Sequence, residues 1–259
     1  MQICINGINT NYIDTGGERE TVVMLHGWGA DISSFVYLIN DLRAHFRVIA
    51  PDMPGFGGSA EPERPYELDE YIAFVDEFLK NLGVQKAHFI GHSFGGRIII
   101  KAAANGGISC EFDKIILFDA AGIKPKQSAR QKLSVAFFKT AKKLFSLDIM
   151  QKMYPGFIES LRAKMGSADY NAASPVIRAT LVKVINEDLT KYLPMIANQT
   201  LLVWGELDDA TPLSDGKLME KLIKDSALIT IEGAGHYSFL DNRSLCAAAA
   251  VSFLTGGKA

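Results

Sequence analysis

Residues 88–97 read HFIGHSFGGR and place a single hydroxyl, that of Ser93, among glycines. Gly91 and Gly95 flank it in the spacing G-x-S-x-G, after an apolar run and before a helical pattern. This spacing is typical of a very sharp strand-to-helix turn, which projects the serine oxygen above the sheet and leaves no room for flanking side chains. We therefore predict that Ser93 is a nucleophile held at the tip of a turn. The alternative is an ordinary glycine-rich turn with an incidental serine.

Short apolar runs alternate with longer helical patterns along the 259-residue chain, which is 48% hydrophobic. The runs are rich in Val and Ile and lack polar alternation, as expected for parallel strands covered on both faces. Strand and helix in turn predict an α/β fold with a mostly parallel, doubly wound sheet, and Asn6-Gly7 predicts an antiparallel hairpin at one edge. The predicted strands span residues 21–25, 46–50, 87–90, 114–118, 201–204 and 228–231, and the predicted helices span residues 34–45, 68–82, 94–105, 214–225 and 238–254.

Residues 122–198 break the alternation, because they hold helical pattern and no convincing strand. We predict a helical lid here, inserted after the sixth strand, between two parts of the core at 1–121 and 199–259. The lid carries 13 Lys or Arg and 5 Asp or Glu, in a chain of net charge −2. These cations form either a solvated helix face or a docking surface for an acidic carrier protein or an anionic lipid surface. The side chains predicted to line a substrate pocket are Phe137, Phe138, Met150, Met153 and Tyr237.

A serine hydroxyl needs a base to take its proton, and His236 is our candidate among five histidines. It follows the last predicted strand, at the end of the sheet where such folds gather their chemistry. An acid must orient the imidazole, and the stretch LLVWGELDDA offers carboxylates after another strand. We predict Asp208, with Asp209 and Asp119 as rivals, and a helix cap or a solvated loop charge as the alternative for each. The chain order of Ser93, Asp208 and His236, each at the end of a strand, favours the catalytic interpretation.

Two backbone N–H groups, those of Trp28 and Phe94, are predicted to face a carbonyl oxygen. Trp28 lies in the HGWG loop beside the turn, and Phe94 begins the helix that follows Ser93. Each donor in such an oxyanion hole is typically worth ~10²–10³ in rate. Alternatively, the indole of Trp28 only forms a wall of the pocket. The two roles are compatible, because the oxyanion donor is the backbone N–H and the wall is the side chain. Of the remaining histidines, His26 is predicted to pin its own loop, and His92 to point away from the serine.

Five motifs stand out along the chain: HGWG at 26–29, DMPGFGGS at 52–59, GHSFGG at 91–96, WGELD at 204–208 and GAGH at 233–236. Together they resemble those of the α/β-hydrolase superfamily, and the match covers nearly the whole chain. By this resemblance Ser93 is the nucleophile, His236 the base, Asp208 the acid, and Trp28 and Phe94 the oxyanion donors. The nearest likeness is to the pimeloyl-acyl-carrier-protein methyl ester esterases, although those usually carry Trp where this chain has His92. Serine at position 93 argues against the dehalogenase and epoxide hydrolase branches, which use Asp there.

Composition excludes several other classes of protein. The net charge of −2 gives no bulk attraction to nucleic acid, and no run reaches the ~18 apolar residues of a membrane helix. The N-terminus lacks the basic-then-apolar layout of a signal peptide, and three scattered cysteines predict buried reduced thiols in a cytoplasmic protein, with no metal site. Residues 55–60 formally fit a dinucleotide fingerprint, but EPERP follows and cannot start the required helix. We predict a structural loop there and no cofactor.

The predicted reaction is acyl transfer from an ester or thioester to water through an acyl-enzyme on Ser93. The same triad also supports carbon–carbon bond hydrolysis, hydroxynitrile lyase action and perhydrolysis, which differ from ester cleavage in pocket polarity. A receptor that keeps the triad but scarcely turns over its small molecule is the alternative from another class.

Overall fold

The computed structural model describes residues 1–124 and 173–257, and its described strands form one eight-stranded sheet. The strands are β1 (Gln2–Ile5), β2 (Ile8–Asp14), β3 (Thr21–Leu25), β4 (Arg47–Pro51), β5 (Lys86–His92), β6 (Glu111–Phe118), β7 (Thr200–Gly205) and β8 (Ser226–Ile231). Their order in the sheet is β1-β2-β4-β3-β5-β6-β7-β8, with β3 to β8 parallel to one another. This confirms the predicted α/β class and its mostly parallel sheet.

The antiparallel part of the sheet is the hairpin at its edge. Strands β1 and β2 pair antiparallel, with Ile5 opposite Ile8, and β2 continues antiparallel onto β4. Asn6 and Gly7 both have positive φ, of 50° and 84°. A two-residue hairpin turn of this kind requires positive φ at both central positions, which is why Asn-Gly predicts it.

The helices cover both faces of the sheet, as a doubly wound fold requires. The described helices are α1 (Val36–Leu42), α2 (Leu68–Asn81), α3 (Phe94–Asn105), α4 (Pro175–Asn186), α5 (Leu213–Leu222), α6 (Ser238–Asp241) and α7 (Arg243–Thr255), with 3-10 turns at Ile32–Phe35 and Thr190–Met195. One hydrophobic cluster packs α2, α3 and α5 against one face, and a second cluster packs α1, α6 and α7 against the other.

Two expectations from the sequence are wrong. The helix predicted over 238–254 is two helices, because Asn242 leaves helical conformation (φ −131°, ψ 73°) and its side chain instead accepts a hydrogen bond from the N–H of Leu245, 3.3 Å away. Cys110 and Cys246 are buried thiols as expected, but Cys4 is exposed. Its strand, β1, pairs with only one neighbour at the edge of the sheet.

The predicted lid lies largely outside the described residues, and so do Phe137, Phe138, Met150 and Met153. Its boundaries therefore stay a prediction. The described return of this segment, α4, is fixed to the core by Arg97 of α3. The buried guanidinium of Arg97 donates hydrogen bonds to the carbonyl oxygens of Val184, at 2.6 Å, and Glu187. The returning chain is thus held against the helix that begins beside Ser93.

Residues 52–59 form a loop held by one buried carboxylate, that of Asp52. It accepts hydrogen bonds from the N–H groups of Ile32 and Gly58, each at 2.8 Å. These bonds fix the backbone of this loop from within. Within the described parts of the chain, no helix combines the length and apolar character that crossing a bilayer requires.

Candidate active site

The candidate site begins at the turn between β5 and α3. Ser93 has φ 48° and ψ −107°, a strained conformation for a residue with a side chain. A Cβ at Gly91 would lie 2.7 Å from the backbone nitrogen of Gly96, and a Cβ at Gly95 would overlap the carbonyl of Leu25. The glycines therefore surround Ser93 because the turn packs backbone against backbone at these positions.

A chain of hydrogen bonds joins Ser93, His236 and Asp208. Ser93 Oγ lies 3.0 Å from His236 Nε2, and His236 Nδ1 lies 2.8 Å from Asp208 Oδ2. Because a carboxylate only accepts, Nδ1 carries the proton, which leaves Nε2 free to accept the proton of the serine hydroxyl. The three groups come from loops that follow β5, β7 and β8, and the structure brings them together as the sequence order suggested.

Asp208 is buried and kept ionised by its neighbours. Its Oδ1 accepts hydrogen bonds from the N–H groups of Ala210 (2.9 Å) and Thr211 (3.0 Å), and the Thr211 hydroxyl lies 2.7 Å from Oδ2. Burial acts to raise the pKa of Asp208, but the hydrogen bonds from His236 and Thr211 outweigh it and lower that pKa below its ordinary value. Thr211 is missing from the residues predicted from the sequence, although an aspartate side chain commonly bonds the backbone N–H two residues on, as Asp208 does with Ala210, in a turn that brings Thr211 beside it.

The two rival carboxylates lie in different surroundings. Asp209 is exposed. Asp119 is fully buried, but its oxygens accept hydrogen bonds from Gly205 and Ser238. Burial raises the pKa of Asp119 to about 6, against the lowering effect of those bonds. Of the three candidate acids, only Asp208 has a hydrogen bond to His236 in the described structure.

His92 holds the loop of His236. Its ring is fully buried, and Nε2 lies 2.8 Å from the carbonyl oxygen of His236, so Nε2 is the protonated nitrogen. Its Nδ1 has no hydrogen-bond partner in the described structure. Burial, and to a smaller extent the neighbouring His236, lower the pKa of His92 to about 3. Sequence pattern does not reveal this contact, because only the fold brings residues 92 and 236 together.

The loop predicted to form an oxyanion hole lies beside the turn. A Cβ at Gly27 would come within 3.4 Å of Ser93 Cβ, and the N–H of Gly95 bonds to the carbonyl of His26 at 3.1 Å. The indole of Trp28 packs edge-on against the ring of Phe94, with centroids 5.3 Å apart. As the first residue of α3, Phe94 has an N–H with no partner inside the helix. The role of both N–H groups stays a prediction.

The other predicted residues are placed as follows. His26 accepts a hydrogen bond from the N–H of Met53 at 2.9 Å and so pins two loops together. The half-buried ring of Tyr237 packs against His92, with centroids 4.6 Å apart, and its place in a substrate pocket stays a prediction. In the part of the chain that the structure describes, no three His, Cys, Asp or Glu side chains are grouped to hold a metal ion.

Comparison with known proteins places the chain in a family. The alpha/beta hydrolase fold model matches residues 20–243, and the chain therefore belongs to this family, as its motifs predicted. It is 26% identical to 2-hydroxy-6-oxo-2,4-heptadienoate hydrolase of Pseudomonas putida, over 91% of this chain and 88% of that protein. It is 25% identical to pimeloyl-[acyl-carrier protein] methyl ester esterase of Aliivibrio fischeri, over 89% and 92%. The solved enol-lactonase from Burkholderia xenovorans LB400 has a TM-score of 0.76, over 98% and 100%, and at 21% identity shows the fold alone.

Proposed function

We propose that this protein is a serine hydrolase that cleaves a carboxylic ester or thioester through an acyl-enzyme on Ser93. The observation that carries the proposal is the unbroken chain of hydrogen bonds from Ser93 Oγ through the His236 ring to the Asp208 carboxylate. That arrangement supplies a nucleophile, a base in the correct tautomer and an acid that orients it.

In the proposed reaction, Ser93 Oγ attacks the substrate carbonyl while His236 Nε2 takes its proton. Asp208 stabilises the imidazolium that results, and the backbone N–H groups of Trp28 and Phe94 stabilise the oxyanion. His236 then protonates the leaving alcohol or thiol. In the second half it takes a proton from water, whose oxygen attacks the acyl carbon and releases the acid and free Ser93.

Carbon–carbon bond hydrolysis is the second candidate, because relatives in Pseudomonas putida and Metapseudomonas resinovorans are named for 2-hydroxy-6-oxo-dienoate substrates. The two reactions share the triad and differ in the carbonyl that is attacked. Wild-type protein and Ser93→Ala are compared on a series of p-nitrophenyl esters and on a vinylogous β-diketone. Ester turnover that vanishes in Ser93→Ala, with no turnover of the diketone, supports the proposal. Turnover of the diketone alone assigns the second reaction, and ester turnover equal to that of Ser93→Ala favours a receptor.

The charge of the predicted lid favours an acidic carrier protein as the partner that delivers substrate to this site. Its 13 Lys or Arg against 5 Asp or Glu suit an acidic carrier that presents the acyl group. An esterase relative is named for an acyl-carrier-protein substrate. Hydrolysis of a carrier-bound ester should then fall steeply from low to moderate salt, while hydrolysis of a short neutral ester should not. Equal salt responses for the two esters would reject an acidic carrier as the partner.

The cytoplasmic location of the protein stays a prediction.

A further inference from the structure

Asp119 lies immediately after β6 in an unusual backbone conformation. Its φ is 45°, one of three positive values among the described non-glycine residues, and its side chain is fully buried. Aspartate and asparagine tolerate this region better than other residues with side chains, but the conformation still costs free energy and persists only where the surroundings impose it. The surroundings of Asp119 are the two loops that carry Asp208 and His236.

Each oxygen of the Asp119 carboxylate bonds to a different loop. Oδ1 accepts the N–H of Gly205, three residues before Asp208, at 2.7 Å. Oδ2 accepts the N–H of Ser238, two residues after His236, at 3.0 Å, and its hydroxyl at 2.6 Å.

The backbone of Asp119 reaches the same place. Its carbonyl oxygen lies 3.0 Å from the hydroxyl of Thr211, which is also 2.7 Å from Asp208 Oδ2. Asp119 therefore contacts the loop of Asp208 on both sides of that residue, and the loop of His236 on one side.

We propose that Asp119 is a positioning residue, which sets the distance between the loop of Asp208 and the loop of His236. The inference rests on the proposed function, because it assigns those two loops to the acid and the base. Asp119 itself has no described bond to either reacting side chain. A displacement of even about 1 Å between catalytic groups can cost roughly 10²-fold in rate, so the bonds to Asp119 should matter for turnover more than for folding.

The chemistry of the site requires a carboxylate. All three groups that face its oxygens are donors, and an ionised carboxylate accepts through both oxygens. An asparagine has one accepting oxygen and one donating NH₂ group. It can keep the bond to Gly205 or the bonds to Ser238, but not both. Asp119→Asn therefore breaks the side-chain link between the two loops. It keeps the shape of the side chain, and asparagine tolerates positive φ as aspartate does.

A matched control exists elsewhere in the chain. Asp76 of α2 accepts the N–H and the hydroxyl of Ser109, both at 2.7 Å, which repeats the bonds between Asp119 and Ser238. Ser109 precedes β6, whereas Asp119 follows it, so this pair lies at the opposite end of that strand. Ser109→Ala thus removes the same hydroxyl bond as Ser238→Ala, and Asp76→Asn makes the same exchange of carboxylate for amide, both away from the candidate site.

The experiment measures kcat and KM for a short p-nitrophenyl ester, together with the melting temperature, for the full-length variants. We expect Asp119→Asn to lower kcat roughly 10²-fold with KM nearly unchanged, the pattern of a lost transition-state interaction. Ser238→Ala, which loses only one bond, should lower kcat by about tenfold. Asp76→Asn and Ser109→Ala should lower the melting temperature without changing kcat. Because Ser238 shares its bonds with Asp119, the loss in the double variant Asp119→Asn/Ser238→Ala should be smaller than the product of the two single losses.

Several results would overturn the inference: an unchanged kcat in Asp119→Asn, losses that multiply in the double variant, or a large change in KM. A loss of roughly 10⁴ in Asp119→Asn with a mild Asp208→Asn would make Asp119 the acid itself. If Asp119→Asn does not fold, the kcat of Ser238→Ala alone tests the inference, and an unchanged kcat in that variant rejects the positioning role of Asp119. Failure of the proposed function looks different, because Ser93→Ala would then hydrolyse the ester at the wild-type rate.

Discussion

The two ends of the parallel strands use similar residues in opposite ways. At the carboxyl end, Ser93 and Asp119 both have positive φ, and buried Asp119 bonds to Ser238. At the amino end, half-buried Asp76 makes the same bonds to exposed Ser109 and pairs with Lys80. At the carboxyl end, strained backbone and a buried carboxylate thus lower stability but fix the positions of the side chains. At the amino end, the charged groups stay near solvent.

The pKa values of the two aspartates show this difference. Burial raises the pKa of Asp119 to about 6 despite its hydrogen bonds. Burial also acts to raise the pKa of Asp76, but the bonds from Lys80 and Ser109 outweigh it and the pKa is lowered. The same bonds to a serine therefore accompany opposite net shifts. Such shifts are common where a protein holds groups for chemistry.

The largest effect expected to separate the two ends of the strands is the loss of Asp208, the proposed acid. Asp208→Asn should lower kcat for a short ester by roughly 10⁴, because the imidazole loses the group that fixes its tautomer and stabilises its charge. The exposed neighbour Asp209 supplies the control, and Asp209→Asn should leave kcat unchanged. Steady-state kinetics on both variants measures this. A small loss of kcat in Asp208→Asn together with a large loss in Asp209→Asn would assign the role of the acid to Asp209 instead.

The second effect concerns the glycine after the serine. A Cβ at Gly95 would overlap the carbonyl of Leu25, so Gly95→Ala should lower the free energy of unfolding by about 3 kcal/mol. At the amino end, Gly83 has φ 68° and open space around its Cβ position, so Gly83→Ala should cost only about 1–2 kcal/mol. Urea denaturation of both variants gives the two values. Equal losses would show that close packing does not explain the glycines around Ser93.

The third effect is a pH dependence of stability that comes from His92. Its folded pKa of about 3 lies below the ordinary value of 6.5, so the unfolded chain binds the proton more tightly. Folding stability should therefore fall as pH drops below 6.5. The wild type should lose about 2 kcal/mol more than His92→Asn between pH 7 and pH 5. Denaturant titrations at the two pH values measure the difference, and parallel curves for both proteins would contradict a buried neutral His92.

The smallest effect tests one hydrogen bond to the acid. Thr211→Val removes the hydroxyl beside Asp208 Oδ2 but keeps the N–H bond to Oδ1, so kcat should fall by about tenfold. Thr190 makes the same two kinds of bond to exposed Asp188, and Thr190→Val is the matched control. Equal kcat in the two variants would show that the Thr211 hydroxyl does not assist Asp208.

Much of the fold was predictable because its signals are local. The apolar runs mark the strands, and Asn6-Gly7 marks the hairpin, since both depend on residues near in sequence. The single helix predicted over 238–254 failed because Asn242 caps the second helix by a bond that periodicity does not report. Ser93 was singled out for the same local reason, the spacing of its glycines.

The surroundings of the site were not predictable in the same way. Asp119, Asp208 and Asp209 all follow strands that end at the same side, so only the paths of the loops decide which one meets His236. The contacts of His92 with His236 and of Asp119 with Ser238 join residues more than a hundred positions apart. Their residue types carry no sign of these partners before the chain is folded.

The most direct test of Ser93 as an activated nucleophile is labelling with a fluorophosphonate, followed by mass mapping of the modified peptide. The proposal predicts one adduct, on Ser93, that forms far more slowly in Asp208→Asn and is absent in Ser93→Ala. Absence of labelling in the wild type, or an adduct on another residue that persists in Ser93→Ala, would contradict it.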